Sequence, residues 1–179
     1  QIEIMKIAGR ITGETLLMAK ELIKEGITTK ELDDKIRLYI KKCGAKPTFL
    51  GYGGFPGSAC ISINNEVIHG IPSNDKVLKN GDIVKIDVGA QYRGFTGDSA
   101  KTFAVGEISD NAKKLMKITE ESFYKGIEAI ENTPNPRLGD LGYAIANHAR
   151  TNGFSVVEQY TGHGVGAELH EDRNVPNYG

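Results

Sequence analysis

Apolar residues recur at helical spacing from the start of the chain, at Ile4, Ala8, Ile11, Leu16, Ala19, Leu22 and Ile23. Gly26 stands where a helix C-terminus favours glycine. Thr28, with Glu31 three residues later, forms a capping-box pattern. It opens a second helix bearing Leu32, Ile36, Tyr39, Ile40 and Cys43, closed by Gly44. From Pro47 to about Val105 the pattern turns irregular and strand-like, with Ala59–Ile63 as one strand. In Ile83–Gly89, residues Val84, Ile86 and Val88 share one face while Lys85 and Asp87 share the other. The polar stretch Ala90–Gly94 reads as a turn, leading into a second arm over Phe95–Val105. Helical spacing then returns: Ser109 caps a helix bearing Leu115, Ile118, Phe123, Ile127 and Ile130. Pro134-Asn135-Pro136 ends it, because proline removes a backbone donor and biases the preceding residue away from helix. A fourth helix, from about Gly139 to Thr151, stops at Asn152-Gly153.

The order helix, helix, glycine, strand occurs twice, which predicts an internal duplication. The first half continues into the hairpin of residues 83–105; the second reaches Gly179 before any counterpart. In that hairpin, a turn centred between Tyr92 and Arg93 sets Asp87 opposite Asp98. Their Cβ atoms then lie roughly 5 Å apart, and like charges directly opposite are destabilising. A cation held between the carboxylates relieves the conflict, so the pattern points to metal binding. The competing reading makes them solvated carboxylates or ion-pair partners of Lys85 and Lys101. Gly97, beside Asp98, marks either a close approach by another group or a bulge.

Composition narrows the class. A chain of 179 residues, with net charge −1 and 25% charged residues, reads as one domain, 1–179, able to bury its own core. It has no basic footprint for nucleic acid or anionic membrane. Cys43 and Cys60 are too few for a disulfide framework and suit a reducing cytosol. No apolar run or leader pattern marks a membrane span or a secreted protein. The helical pattern is already running at Ile2, so the start looks cropped.

A second candidate for chemistry is Thr161-Gly162-His163-Gly164-Val165-Gly166, where glycines uncover one imidazole for a metal or a substrate. The bland alternative is a flexible glycine-rich loop; no phosphate-binding pattern is present. His170 follows in Leu169-His170-Glu171, and His69 stands before Gly70-Ile71-Pro72. His148 on the fourth helix reads as structural. No Gly-x-Ser-x-Gly elbow exists, and Cys60 alternates with apolar neighbours and looks packed.

Together, Asn65–Pro72, Ile86-Asp87-Val88, Gly94–Ser99 and Thr161–Gly166 through His170-Glu171 resemble a type I methionine aminopeptidase, in order and spacing, from the first helix to the last residue. The resemblance implies an α+β "pita-bread" fold: two pseudo-symmetric halves of antiparallel sheet covered by helices, here with the second half truncated. It implies two divalent ions (Mn, Fe, Co or Zn), with Asp87 a ligand of one, Asp98 bridging both and His163 an imidazole ligand. It makes His69 and His170 the non-ligand histidines that hold and polarise the substrate. Phe49, Tyr52, Phe55, Cys60 and Leu169 fall where the family lines its methionine pocket, and aromatic walls suit a polarizable thioether. Gly53, Thr96 and Tyr143 depart from positions that often carry histidine, and Asn132–Pro136 is an unusual form of its loop.

The implied activity is removal of the N-terminal methionine from nascent proteins and peptides. Two ions would lower the pKa of a bound water to about 7 and stabilise the oxyanion. The implied setting is a cytoplasmic monomer meeting nascent N-termini, with ribosome association left open and no nucleic-acid or membrane partner. The family supplies two further glutamate ligands, one in an Ile-Glu-Pro segment, beyond the counterpart of Gly179. Glu168, Glu171 and Asp172 do not match them, so the expectation for the chain as written is impaired catalysis. The alternatives are a non-catalytic peptide-binding module on the same fold and a proline dipeptidase or creatinase relative.

Overall fold

The computed structural model describes residues 1–179. It forms two compact units: residues 1–108 with 165–169, and residues 109–164 with 170–179. In the first, α1 (Ile2–Leu22) and α2 (Thr29–Lys42) cover one face of an antiparallel sheet made of β1 (Lys46–Pro47), β2 (Ala59–Ile63), β3 (Ile83–Tyr92) and β4 (Phe95–Ala104). β3 is central: β4 runs along one edge, while β2 and then β1 occupy the other.

Strand alternation explains the layering. Val84, Ile86, Val88 and Ala90 on β3 are fully buried, as are Ala59 and Ile61 on β2. With Ile11, Leu16 and Ala19 of α1 and Leu32, Ile36 and Ile40 of α2 they form the main core. The α2 start is the expected capping box: the Thr28 side chain accepts from the Glu31 N–H, and Glu31 accepts from the Thr28 N–H at 2.9 Å. α1 ends earlier than glycine placement suggests. It stops at Leu22, Ile23 is extended, and Gly26 (φ +89°) instead turns the chain so that its N–H donates to the Leu78 carbonyl at 2.9 Å. Pairing with Leu78 satisfies backbone groups that another helical turn would have used.

The hairpin register differs from expectation. Tyr92 pairs with Phe95, and Arg93 (φ +48°) and Gly94 (φ +83°) form a two-residue turn with both central residues left-handed. That geometry matches the twist of the flanking strands. The turn centre therefore lies one residue further on, and the pairing slides by two: Asp87 faces Ala100, and Asp98 faces Gly89. An even slip keeps every side chain on its face, so the two aspartates remain diagonal neighbours. The pairing runs without interruption through Gly97, so no bulge exists there. Close approach is the reason for the glycine: a Cβ at Gly97 would stand 2.5 Å from the Ala8 carbonyl carbon and 2.6 Å from the Gly9 nitrogen. Beside it, the Thr12 and Ser99 hydroxyls, 3.0 Å apart, tie α1 to β4.

In the second unit, α3 (Asp110–Asn132) and α4 (Leu138–Thr151) pack together, and β5 (Gly162–Gly164) pairs with β6 (Glu171–Val175). The Ser109 hydroxyl caps α3 by accepting from the Ala112 N–H at 3.2 Å. Gly142 admits the chain end against α4, since a Cβ there would meet the Pro176 and Tyr178 carbonyls. No helix in the structure is long and apolar enough to cross a membrane.

Candidate metal centre and substrate pocket

The sheet face turned away from α1 and α2 carries Lys85, Asp87 and Gln91 from β3, Cys60 and Ser62 from β2, and Thr96 and Asp98 from β4. Burial, then the charge of the adjacent Asp98, then a hydrogen bond with it, push the Asp87 carboxyl up to about 8. Two acidic groups in contact in a poorly solvated site cannot both ionise without a compensating charge. Lys85 shares this face, but its ammonium donates to the Asn64 carbonyl at 2.6 Å. Alternation places Lys101 on the opposite face. The pair fits hard divalent ions in donor chemistry, since such ions take carboxylate oxygens. It is a pair only: nowhere are three or more His, Cys, Asp or Glu side chains gathered closely enough to hold an ion.

Next to the carboxyl pair lies a small apolar cluster of Phe49, Cys60 and Leu169, with Phe55 packed against it. Register explains the adjacency. Cys60 is the β2 partner of Asp87. The Phe49 ring lies over Gly89, where a Cβ would sit 2.7 Å from Cε1, and Gly89 is the β3 partner of Asp98. Burial first, then the charges of Asp87, Asp98 and Asp33, push the Cys60 thiol up to about 12. Leu169 reaches the cluster because residues 165–169 pack with the first unit; the Thr96 N–H donates to the Gly166 carbonyl at 2.8 Å. Tyr52, in a short 3-10 turn over Tyr52–Gly54, is half exposed and lies outside the cluster.

His69 is exposed and adopts left-handed backbone, φ +58°. In the second unit, the His163 and His170 rings lie 4.2 Å apart at a 47° tilt, beside the register shift between His163 and Gly164. His163 Nδ1 lies 3.0 Å from the Gly164 carbonyl. A proton on Nδ1 makes that contact a hydrogen bond and leaves the lone pair on Nε2, the tautomer of a typical imidazole ligand. His148 Nε2 bonds Glu121 at 3.0 Å and joins α4 to α3, a structural role.

Two residues that pattern reading passed over also anchor β2, the strand that carries Cys60. Asp33 on α2 is 1% exposed and accepts from the Ser58 and Ala59 N–H groups at 2.6 and 2.9 Å, fixing the start of β2. Burial raises its carboxyl and those bonds oppose the rise. The signal was an acid inside the apolar stripe Leu32–Ile36. Ser62 on β2 is likewise 1% exposed, and it accepts from the Gly70 N–H at 2.9 Å.

A match to metallopeptidase family M24 spans residues 3–179. The methionine aminopeptidase of Clostridium acetobutylicum is 52% identical over 181 residues, covering 100% of this chain and 71% of that protein. The crystal structure of methionine aminopeptidase from Thermotoga maritima superposes with a TM-score of 0.95 at 44% identity, over 99% of this chain and 71% of the other. Prolidase from Pyrococcus furiosus superposes at 0.84 with 27% identity, over 99% of this chain and 50% of the other. The antiparallel sheet under helices is thus the pita-bread arrangement of these enzymes.

Proposed function

The chain belongs to metallopeptidase family M24, and from that premise we propose that it serves as a metal-dependent aminopeptidase that removes the N-terminal methionine of nascent proteins and peptides in the cytoplasm. Residues 1–179 act in this reading as one catalytic domain. The observation that carries it is the contacting Asp87–Asp98 pair bordered by Phe49, Cys60 and Leu169: a charged grip beside an apolar slot. Identities of 52% and 44% to the Clostridium acetobutylicum and Thermotoga maritima methionine aminopeptidases, against 27% to the prolidase, favour methionine over a proline dipeptide as substrate.

In this reading Asp87 and Asp98 would hold the divalent ions, with His163 as the imidazole donor. When bound, the ions supply an acidified water and charge for the developing oxyanion. The chain's own side chains do the rest. Phe49, Phe55, Cys60 and Leu169 exclude water around an unbranched side chain, with Tyr52 at the rim. His69 and His170 donate to the scissile amide and hold it in register. Cys60 takes no nucleophilic part, because a thiol held near 12 stays protonated.

Isothermal titration with Mn2+ or Co2+ tests the grip. Three carried-over ligands are fewer than the four to six or so that two ions require, so the 179-residue polypeptide alone should bind weakly. Asp98→Asn should abolish that binding, by at least roughly 100-fold, while the fold is retained. A peptide-binding module would be indifferent to the change, and unaltered cation affinity would refute the reading.

A further inference from the structure

The geometry points to Ser62 as a positioning residue that sets His69 over the carboxylate-bearing face of the sheet. This inference rests on the reading of His69 as a substrate-holding residue.

Ser62 lies on β2 two residues beyond Cys60, opposite Lys85, so it shares the face of Asp87. Its hydroxyl accepts from the Gly70 N–H at 2.9 Å, while the Ile61 N–H donates to the Gly70 carbonyl at 2.8 Å. Both backbone groups of Gly70 are therefore bound to β2. The approach is close enough that a Cβ at Gly70 would run into the Ile61 carbonyl and the Ser62 backbone. On the upstream side, Glu66 accepts from the Ile63 N–H at 2.9 Å and pairs with Lys76. Between these two anchors Val67, Ile68 and His69 are exposed.

His69 occupies left-handed backbone, which a non-glycine residue holds only when its surroundings impose it, at a cost of about 1–3 kcal/mol. The Gly70 clasp is the nearest constraint that can impose it. A neighbouring residue with a free backbone would relax to φ < 0 and swing the imidazole aside. Ser62 contributes through Oγ alone: without that acceptor, one of the two bonds holding Gly70 is lost, and the buried N–H is left unpaired.

The test is a double-mutant cycle in the metal-loaded enzyme, reading methionine release from a Met-Ala-Ser peptide. Ser62→Ala should lower kcat about tenfold with KM changed less than about twofold, because a mispositioned group costs turnover more than binding. His69→Ala should lower kcat further, and the double variant should match His69→Ala alone. Losses that multiply in the double variant would overturn the clasp while leaving the role of His69 intact. A His69→Ala enzyme of normal kcat would instead remove the reading of His69, and the clasp with it. In the metal-free 179-residue protein, the His69 ring resonance should move in Ser62→Ala while those of His163 and His170 stay; a stationary His69 resonance also overturns the proposal. Should the alanine variant fail to fold, Ser62→Cys fills the same space with a weaker acceptor and should show the same pattern at smaller amplitude.

Discussion

Replacing Gly97 with alanine tests how the carboxylate-bearing hairpin is seated on α1. The added methyl would stand 2.5–2.6 Å from the Ala8 carbonyl group and the Gly9 nitrogen, against the 3.4 Å at which ordinary contact begins. Helix and strand must therefore separate by roughly 0.9 Å, and no rotamer change helps because the three nearest atoms are all backbone. Separation loosens the packing of Ile11 and Leu16 against the sheet and stretches the 3.0 Å Thr12–Ser99 contact. Overpacking against rigid neighbours costs about 3 kcal/mol, at the top of its usual range. For a chain of this length that corresponds to a fall in Tm of roughly 6–12 °C. The assay is thermal and urea unfolding followed by circular dichroism, with Gly94→Ala as the control. Gly94 has open space around it and differs only in its left-handed backbone, so its alanine variant should lose about 1 kcal/mol. Gly97→Ala within about 0.5 kcal/mol of the parent would refute the close-approach argument.

Two further outcomes follow from the same face. In the metal-free protein, Asp87 keeps its proton up to about 8 when folded and releases it near 3.8 when unfolded. The folded state binds more protons between those values, so stability should fall as pH rises from about 4 to 8, and Asp87→Asn should flatten that slope. Added Mn2+ should reverse the trend, since binding to the deprotonated pair strengthens with pH; metal-free stability that rises over this window in parent and variant alike would contradict the assignment. For the thiols, neutral alkylating reagent at pH 8 should label half-buried Cys43 and leave buried Cys60 untouched until the chain is unfolded. Mass spectrometry of the labelled peptides decides it, and rapid labelling of Cys60 would show that its slot is open.

Local and periodic features were legible because they depend on neighbours a few residues away. The Thr28–Glu31 box, the Ser109 cap, the Pro134 break and the alternation that puts Asp87 opposite the Val84–Ile86–Val88 face all depend on short-range geometry. The aspartates' shared face survived an error in register because strand side chains repeat every two residues. The register itself was lost, since Arg93 takes a left-handed conformation that residue type alone does not announce. Gly97 could be read as bulge or close approach, and only α1 lying against it chose between them. Ser62 gave no sign and Asp33 only that of an acid within an apolar stripe, because their partners, Gly70 and Ser58–Ala59, are bound through backbone groups that any sequence offers.

The sequence by itself determined which segments are helical, which face of each strand is apolar and which acids and histidines are available for chemistry. Tertiary structure alone decided that Asp87 touches Asp98 diagonally, that Leu169 joins Phe49 and Cys60, and that Gly70 is locked onto β2. Periodicity is a property of one segment, whereas contact between segments is set by turn geometry and packing, which no single stretch of chain encodes.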